Sequence, residues 1–209
     1  MQQYSSLFRP TLCYNVGEVT RTMVAPVITR KRFTTQEYEQ IIAVGVITED
    51  DRVELLDGEI VEMSPIGPSH SGIVLRLTEL LYELRSPQIM VRVQDPVRLG
   101  KFSEPQPDIS VVHRRSDYYT NSHPEPEDIL LLIEVAESSL SYDRELKLPL
   151  YARAGIPEVW IVAPLEQMIE AYRSPKGAGY REKQQLRRGE VLTALNIPEF
   201  SLPVENVLG

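Results

Sequence analysis

The chain has 209 residues, 42% hydrophobic and 25% charged, which suits one domain with a real core and excludes disorder throughout. A net charge of −8 repels duplex DNA at long range, so a DNA-coating protein is excluded, whereas an enzyme that grips a few phosphates through metal ions is not. A single cysteine, Cys13, excludes an internal disulfide and a zinc-ligand cluster; with no signal peptide apparent and no apolar run longer than 129–133, the expected location is the cytoplasm.

Residues 1–32 lack clear periodicity and read as an arm ahead of a domain spanning 33–209; an ordinary extra strand is the alternative, and Met23 offers a second start. Thr34 or Thr35 caps a helix through Tyr38 and Ile42 that ends near Gly45. In VELLDGEIVEM, apolar residues flank Asp57-Gly58, a hairpin signal. After a loop over 64–69, Ile73, Leu77, Leu80, Leu81 and Leu84 recur at helical spacing until Ser86-Pro87 stops the helix.

Four strands are expected next, over 89–93, 108–113, 129–136 and 158–162. The third is apolar on both faces, as a central strand of a covered sheet would be. A helical stretch over 141–154 precedes the fourth, with Gly155 as its cap and Pro149 expected to kink or divide it. The polar segment 116–128 reads as a mobile surface loop, and a hairpin through 168–172 with a Leu/Pro-rich tail completes the chain.

Two carboxylates stand at apolar strand positions. Asp108 follows Pro107 at the start of one strand, and Glu134 lies inside the most apolar strand. A carboxylate buried there is costly unless it is paired or binds metal. Two of them on adjacent strand ends repel unless a cation lies between, and magnesium suits all-oxygen donors. The bland alternative pairs each with an arginine. Nuclease sites of this kind want a lysine two residues after the acid, where this chain has Ala136. Lys147 on the next helix is the substitute, with Asp143 and Tyr151 four residues to either side on one face. A solvated Asp143–Lys147 ion pair is the competing reading.

The segments VELLDGEIVEMSP, SHSGIVLRL, PQPDISVV, LLIEVAESS and DRELKLPLYARAGIPEVWIV occur in this order between about Phe33 and Ala163. In these the chain resembles the Uma-two family of restriction-endonuclease-like proteins, within the PD-(D/E)XK nuclease superfamily. The resemblance implies an α/β restriction-endonuclease-like core (helix, three strands, helix, strand) with an added N-terminal helix and hairpin. It also implies that Asp108 and Glu134 are the motif acids, Lys147 a lysine displaced onto the helix, Glu54 the acid of the early hairpin and His70 the histidine opening the next helix. One departure is Glu137-Ser138, where the family usually has Ser-Pro; the extra carboxylate either adds a ligand or disturbs the site.

Glu79 and Glu83 compete with Glu54, but they fall in a polar helix stripe. Tyr151 and Trp160 read as core aromatics, Tyr151 also as a possible addition to the site, and His113 and His123 as surface residues. Arg98, Lys101, Arg114 and Arg115 lie near strand ends, where they contact phosphates or form a solvated rim. The expected activity is hydrolysis of phosphodiester bonds in DNA, with Mg2+ or Mn2+ held by Asp108, Glu134 and the Val135 carbonyl, in a possible homodimer. The alternative is a nuclease fold kept as a binding or interaction protein without catalysis. A nucleotide-binding α/β protein would need a Gly-rich phosphate loop, which the sequence lacks.

Overall fold

Local start and stop signals set the element boundaries in the computed structural model, which describes residues 29–48 and 50–209. The arm expected over 1–32, with Cys13 and Met23, lies almost wholly outside the described residues. Residues 31–209 pack as one unit.

α1 (Thr35–Ala43) opens on a capping box: Thr34 Oγ1 accepts from the Glu37 amide at 3.1 Å, and Glu37 accepts from the Thr34 amide at 2.9 Å. β1 (Val53–Leu56) and β2 (Glu59–Glu62) form the expected hairpin. Its two-residue turn needs positive φ at both positions, met by Asp57 at 51° and Gly58 at 85°. The hairpin docks on the segment 102–104, through Glu104 N to Leu55 O (2.7 Å) and Gly58 N to Phe102 O (2.7 Å). α2 (Pro68–Glu83) buries Ile73, Val74, Leu77 and Leu81 on one stripe.

β3 (Ile89–Val93), β4 (Ile109–His113), β5 (Ile129–Val135), β6 (Glu158–Ala163), β7 (Met168–Lys176) and β8 (Gly179–Arg187) form one sheet in that spatial order. Only β5 and β6 pair in parallel, and their connection is therefore the helical crossover that a parallel pair requires. All seven residues of β5 are buried. Its side chains alternate: Leu131, Ile133 and Val135 face α2, whereas Leu132 and Ala136 face the crossover helices, and Glu134 shares their side.

The crossover runs as α3 (Leu140–Tyr142), a π turn (Asp143–Lys147) and α4 (Leu148–Ala154), capped by Gly155 at φ 81°. The stretch divides just before Pro149, which stands in the first turn of α4, as the sequence predicts. In an α-helix the proline ring would press on the Glu145 carbonyl; the wider turn just before it, closed by Leu148 N–H to Asp143 O, accommodates the ring.

The rest of the chain differs from expectation in extent. The predicted short hairpin is nine residues per strand. The tail forms β9 (Val191–Thr193), β10 (Ser201–Pro203) and α5 (Val204–Leu208), which seal the α2 face with Leu192, Phe200, Leu202 and Val207; Phe200 stacks on Trp160 at 5.8 Å. The loop over 116–128 is pinned near its start, because Tyr119 is buried and donates to the His113 carbonyl at 2.7 Å. Among the described residues, no helix is long and apolar enough to cross a membrane.

Candidate active site

The open end of the β4–β5 pair, the hairpin and the crossover enclose a cavity of about 200 Å³. Asp108, Glu134, Lys147, Glu54, His70 and Val135 all line it. β4 ends its pairing with β5 at Ile109↔Ile133, so Val135 N–H has no strand partner on that side and donates to Asp108 Oδ2 at 2.8 Å. That bond sets Asp108 directly beside the residue after Glu134. By strand geometry the Val135 carbonyl points to the same side as its N–H. His70, in the first turn of α2, meets Asp108 Oδ2 through Nε2 at 2.9 Å, and Gln94 donates to Oδ1 at 3.3 Å.

Lys147 is 5% exposed and bridges two carboxylates, Glu134 Oε1 and Glu54 Oε2, both at 3.2 Å. It therefore does not form the solvated pair with Asp143. Asp143 is itself buried and accepts from Ser139 Oγ at 2.6 Å. The spacing of 143, 147 and 151 keeps all three on the β5 side of the crossover, and the Tyr151 hydroxyl donates to Glu134 Oε1. Glu54, delivered by the docked hairpin, accepts from Tyr142 OH (2.9 Å) and the Gln106 amide (2.9 Å) as well.

Burial pushes the Glu134 carboxyl well above the usual carboxylate range, against the pull of Lys147, with Asp143 and Asp108 adding to the rise. Burial raises Asp143 as well. For Lys147, burial favours the neutral amine, but Glu134, Glu54 and Asp143 outweigh it and hold the ammonium above its ordinary value. Burial, then Glu134, raises the Tyr151 hydroxyl. Four carboxylates (Glu54, Asp108, Glu134, Asp143) thus converge on one ammonium, an excess of buried negative charge that a cation relieves.

Among the described residues, no three His, Cys, Asp or Glu side chains form a ready-made metal cluster. The donor set on offer is Asp108, Glu134 and the Val135 carbonyl. Glu134 Oε2 meets no hydrogen-bond donor among the described residues, while Oε1 is taken by Lys147 and Tyr151. Two carboxylates and a carbonyl, all hard oxygens, fit a magnesium or manganese ion that keeps several waters.

Several residues lie away from the site. Glu79 and Glu83 are exposed on α2. Trp160 is core, with Nε1 donating to Glu158 at 2.8 Å. The four basic residues near strand ends are already engaged. Arg98 pairs with Glu39 and Glu104, Arg115 with Asp117 (2.7 Å), Arg114 donates to the Ile89 carbonyl (3.0 Å), and Lys101 lies over the Phe102 ring. His113 is exposed; His123 is part-buried, 3.9 Å from Glu104. Glu137 lines the cavity opposite Gly67, where an added Cβ would meet its carboxylate at 3.3 Å. Sequence reasoning missed Gln94, Gln106, Ser139 and Tyr142. Gln94 and Gln106 sit in irregular segments with no periodicity to mark them, and Tyr142 closes a three-residue helix with no buried residue to mark a face.

A family model described as "Putative restriction endonuclease", Uma2 (Uma-two), matches residues 35–205. The chain belongs to the Uma2 family. A solved structure from Anabaena variabilis, titled a putative nuclease belonging to DUF820, superposes with a TM-score of 0.68 at 16% identity, covering 84% of this chain and 97% of the other. At that identity the likeness speaks for the fold, and the Uma2 chain has the expected restriction-endonuclease-like α/β architecture. No curated protein matches the sequence.

Proposed function

We propose that this Uma2 protein is a metal-dependent nuclease that hydrolyses phosphodiester bonds in DNA. The observation that carries the reading is the meeting of Asp108, Glu134 and Lys147 in one cavity, with Lys147 supplied by the crossover instead of by β5. Asp108, Glu134 and the Val135 carbonyl would hold Mg2+ or Mn2+. When bound, such an ion polarises the phosphate and lowers the pKa of an attacking water.

The chain's own residues divide the remaining work. Lys147 carries a fixed positive charge beside Glu134, where it neutralises charge developing on the phosphate oxygens. Glu54, with Tyr142, holds that ammonium in place from the other side. Tyr151 fixes the Glu134 carboxylate through Oε1 and so leaves Oε2 toward the cavity. His70 and the Val135 amide orient Asp108.

Plasmid cleavage in manganese, run beside calorimetric manganese titration, tests the reading. The unmodified protein binds metal and cleaves. Asp108→Asn loses both. Lys147→Ala loses cleavage by roughly 100-fold or more, the scale for removing one group that stabilises developing charge, while still binding metal. If the unmodified protein neither binds metal nor cleaves, the proposal is overturned. DNA binding without cleavage favours the interaction-protein alternative.

A further inference from the structure

Resting on the nuclease reading, we propose that Arg52 and the apolar lip formed by Met63 and Ile66 are a nucleotide subsite beside the cleavage position. The guanidinium takes a non-scissile phosphate and the lip packs against the adjoining sugar.

The metal-site cavity continues outward as a trough. One recess shares Arg52, Met63, Ile66, Gln106 and Asp108 with it, and another shares Arg52, Glu62, Met63, Pro65 and Ile66. Arg52 lines all three. Its backbone is fixed, since the Arg52 carbonyl accepts from the Met63 amide at 2.8 Å where β1 and β2 close, two residues before the buried Glu54. The side chain therefore starts from a rigid point at the rim of the site.

Among the described residues nothing engages its guanidinium. Arg98, Arg144 and Arg173 each meet a carboxylate, whereas Arg52 makes no ion pair or side-chain hydrogen bond among the described residues. The adjacent acid in sequence is already used: Asp51 accepts from Thr48 N at 2.8 Å and Thr48 Oγ1 at 2.9 Å. A planar guanidinium presents parallel donors that match two phosphate oxygens. Ile66 is 37% exposed, and with Met63 it gives the trough an apolar side beside that cation.

The surrounding charge restricts what can bind. Glu62, Glu137 and Asp51 flank the trough and repel a long run of phosphates. The subsite therefore grips one phosphate near the scissile one, and affinity depends only weakly on salt. This suits a chain of net charge −8 that must nevertheless hold a polyanion.

The test is binding of a fluorescently labelled deoxyoligonucleotide duplex, in calcium to suppress turnover, across a salt series. Arg52→Ala is expected to weaken binding about tenfold and to lower the slope of log affinity against log salt by about one. Arg52→Lys recovers the slope but only part of the affinity, and manganese affinity by calorimetry is unchanged in both. Ile66→Ala gives a smaller loss with no change in slope; no loss at all removes the lip from the subsite. If the unmodified protein binds and cleaves DNA and Arg52→Ala matches it in affinity and slope, the subsite is overturned and the nuclease reading stands. If the unmodified protein takes up manganese but holds no oligonucleotide, both fall.

Discussion

Glu170 on β7 and Glu134 on β5 are both buried in the same sheet, but their surroundings answer their charge differently. Glu170 accepts four donors: Arg144 Nε (2.8 Å) and Tyr172 OH (2.7 Å) on one oxygen, Lys183 Nζ (2.7 Å) and Gln185 Nε2 (2.8 Å) on the other. Burial alone would raise its pKa, but these partners outweigh burial and bring it down to about 2. Among the described residues, Glu134 shares its one ammonium with Glu54, has Asp143 and Asp108 nearby and keeps one oxygen without a donor, and it is pushed up. The first cluster satisfies its charges internally and has a structural character. The second leaves more negative charge than it pairs and opens on a cavity, which supports the proposed metal and phosphate site.

The contrast is broken most strongly by removing Glu170. Arg144 and Lys183 would be left facing a buried gap; because both are partly exposed, the expected loss is about 3 kcal/mol, the lower end for breaking a buried pair. Denaturant unfolding of Glu170→Ala measures it, with manganese affinity unchanged. A loss of metal affinity on that substitution would mean that the two clusters are not independent.

Metal addition sharpens the comparison from the other side. An ion that binds only the folded state at about 100 times its Kd adds roughly 2.7 kcal/mol. Manganese should therefore raise the melting temperature of the unmodified protein and of Glu170→Ala alike, and leave that of Asp108→Asn unmoved. A rise in Asp108→Asn equal to that of the unmodified protein would place the ion elsewhere.

pH separates the two carboxyls by sign. Glu170 has a depressed folded pKa, so its contribution is present above the unfolded value of 4.5 and is lost as pH falls from 4.5 toward about 2. Glu134 has a raised folded pKa, so between 4.5 and that raised value the folded state holds more protons than the unfolded one, and stability falls as pH rises. In chelator, metal-free protein should lose stability relative to Glu134→Gln as pH climbs above 4.5. A difference curve of unfolding free energies that is flat or rises over that range would show Glu134 to be as well paired as Glu170.

What the sequence made legible follows from the range of each interaction. Thr34 with Glu37, Asp57-Gly58 and Gly155 act within a few residues, and their elements stand where the sequence puts them. The Asp108 and Glu134 strands were legible because an acid in an apolar run is anomalous wherever it occurs. Lys147 was legible through spacing along one helix. Tyr142 against Glu54 is 88 residues apart in sequence and Gln106 against Glu54 is 52, so no local pattern could announce them. The same holds for Arg98 and Arg115, for which the sequence leaves phosphate contact and a solvated rim open and which pair with carboxylates in the fold. Pro149 acts locally as well: the crossover divides beside it into a π turn and α4.

The smallest expected effect is the stability of metal-free Asp108→Asn. Asp108 is not idle: it accepts from the Val135 amide, from His70 and from Gln94, and by that count alone its removal is as costly as that of Glu170. Asparagine, however, keeps one carbonyl oxygen of the same shape. That oxygen can take the Val135 and His70 donors, which already share Oδ2. The new NH2 would face the position of Gln94 Nε2, and a flip of the Gln94 amide turns its oxygen to meet it. The substitution also removes one of four converging negative charges and relieves Glu134 and Asp143, both of which are raised in part by Asp108. The losses and the relief oppose each other, and the net change in unfolding free energy without metal should lie within about 1 kcal/mol of zero. Thermal and denaturant unfolding in chelator measure it. A loss comparable to that of Glu170→Ala would make Asp108 a satisfied structural acid of the Glu170 kind, and would remove it from the proposed metal site.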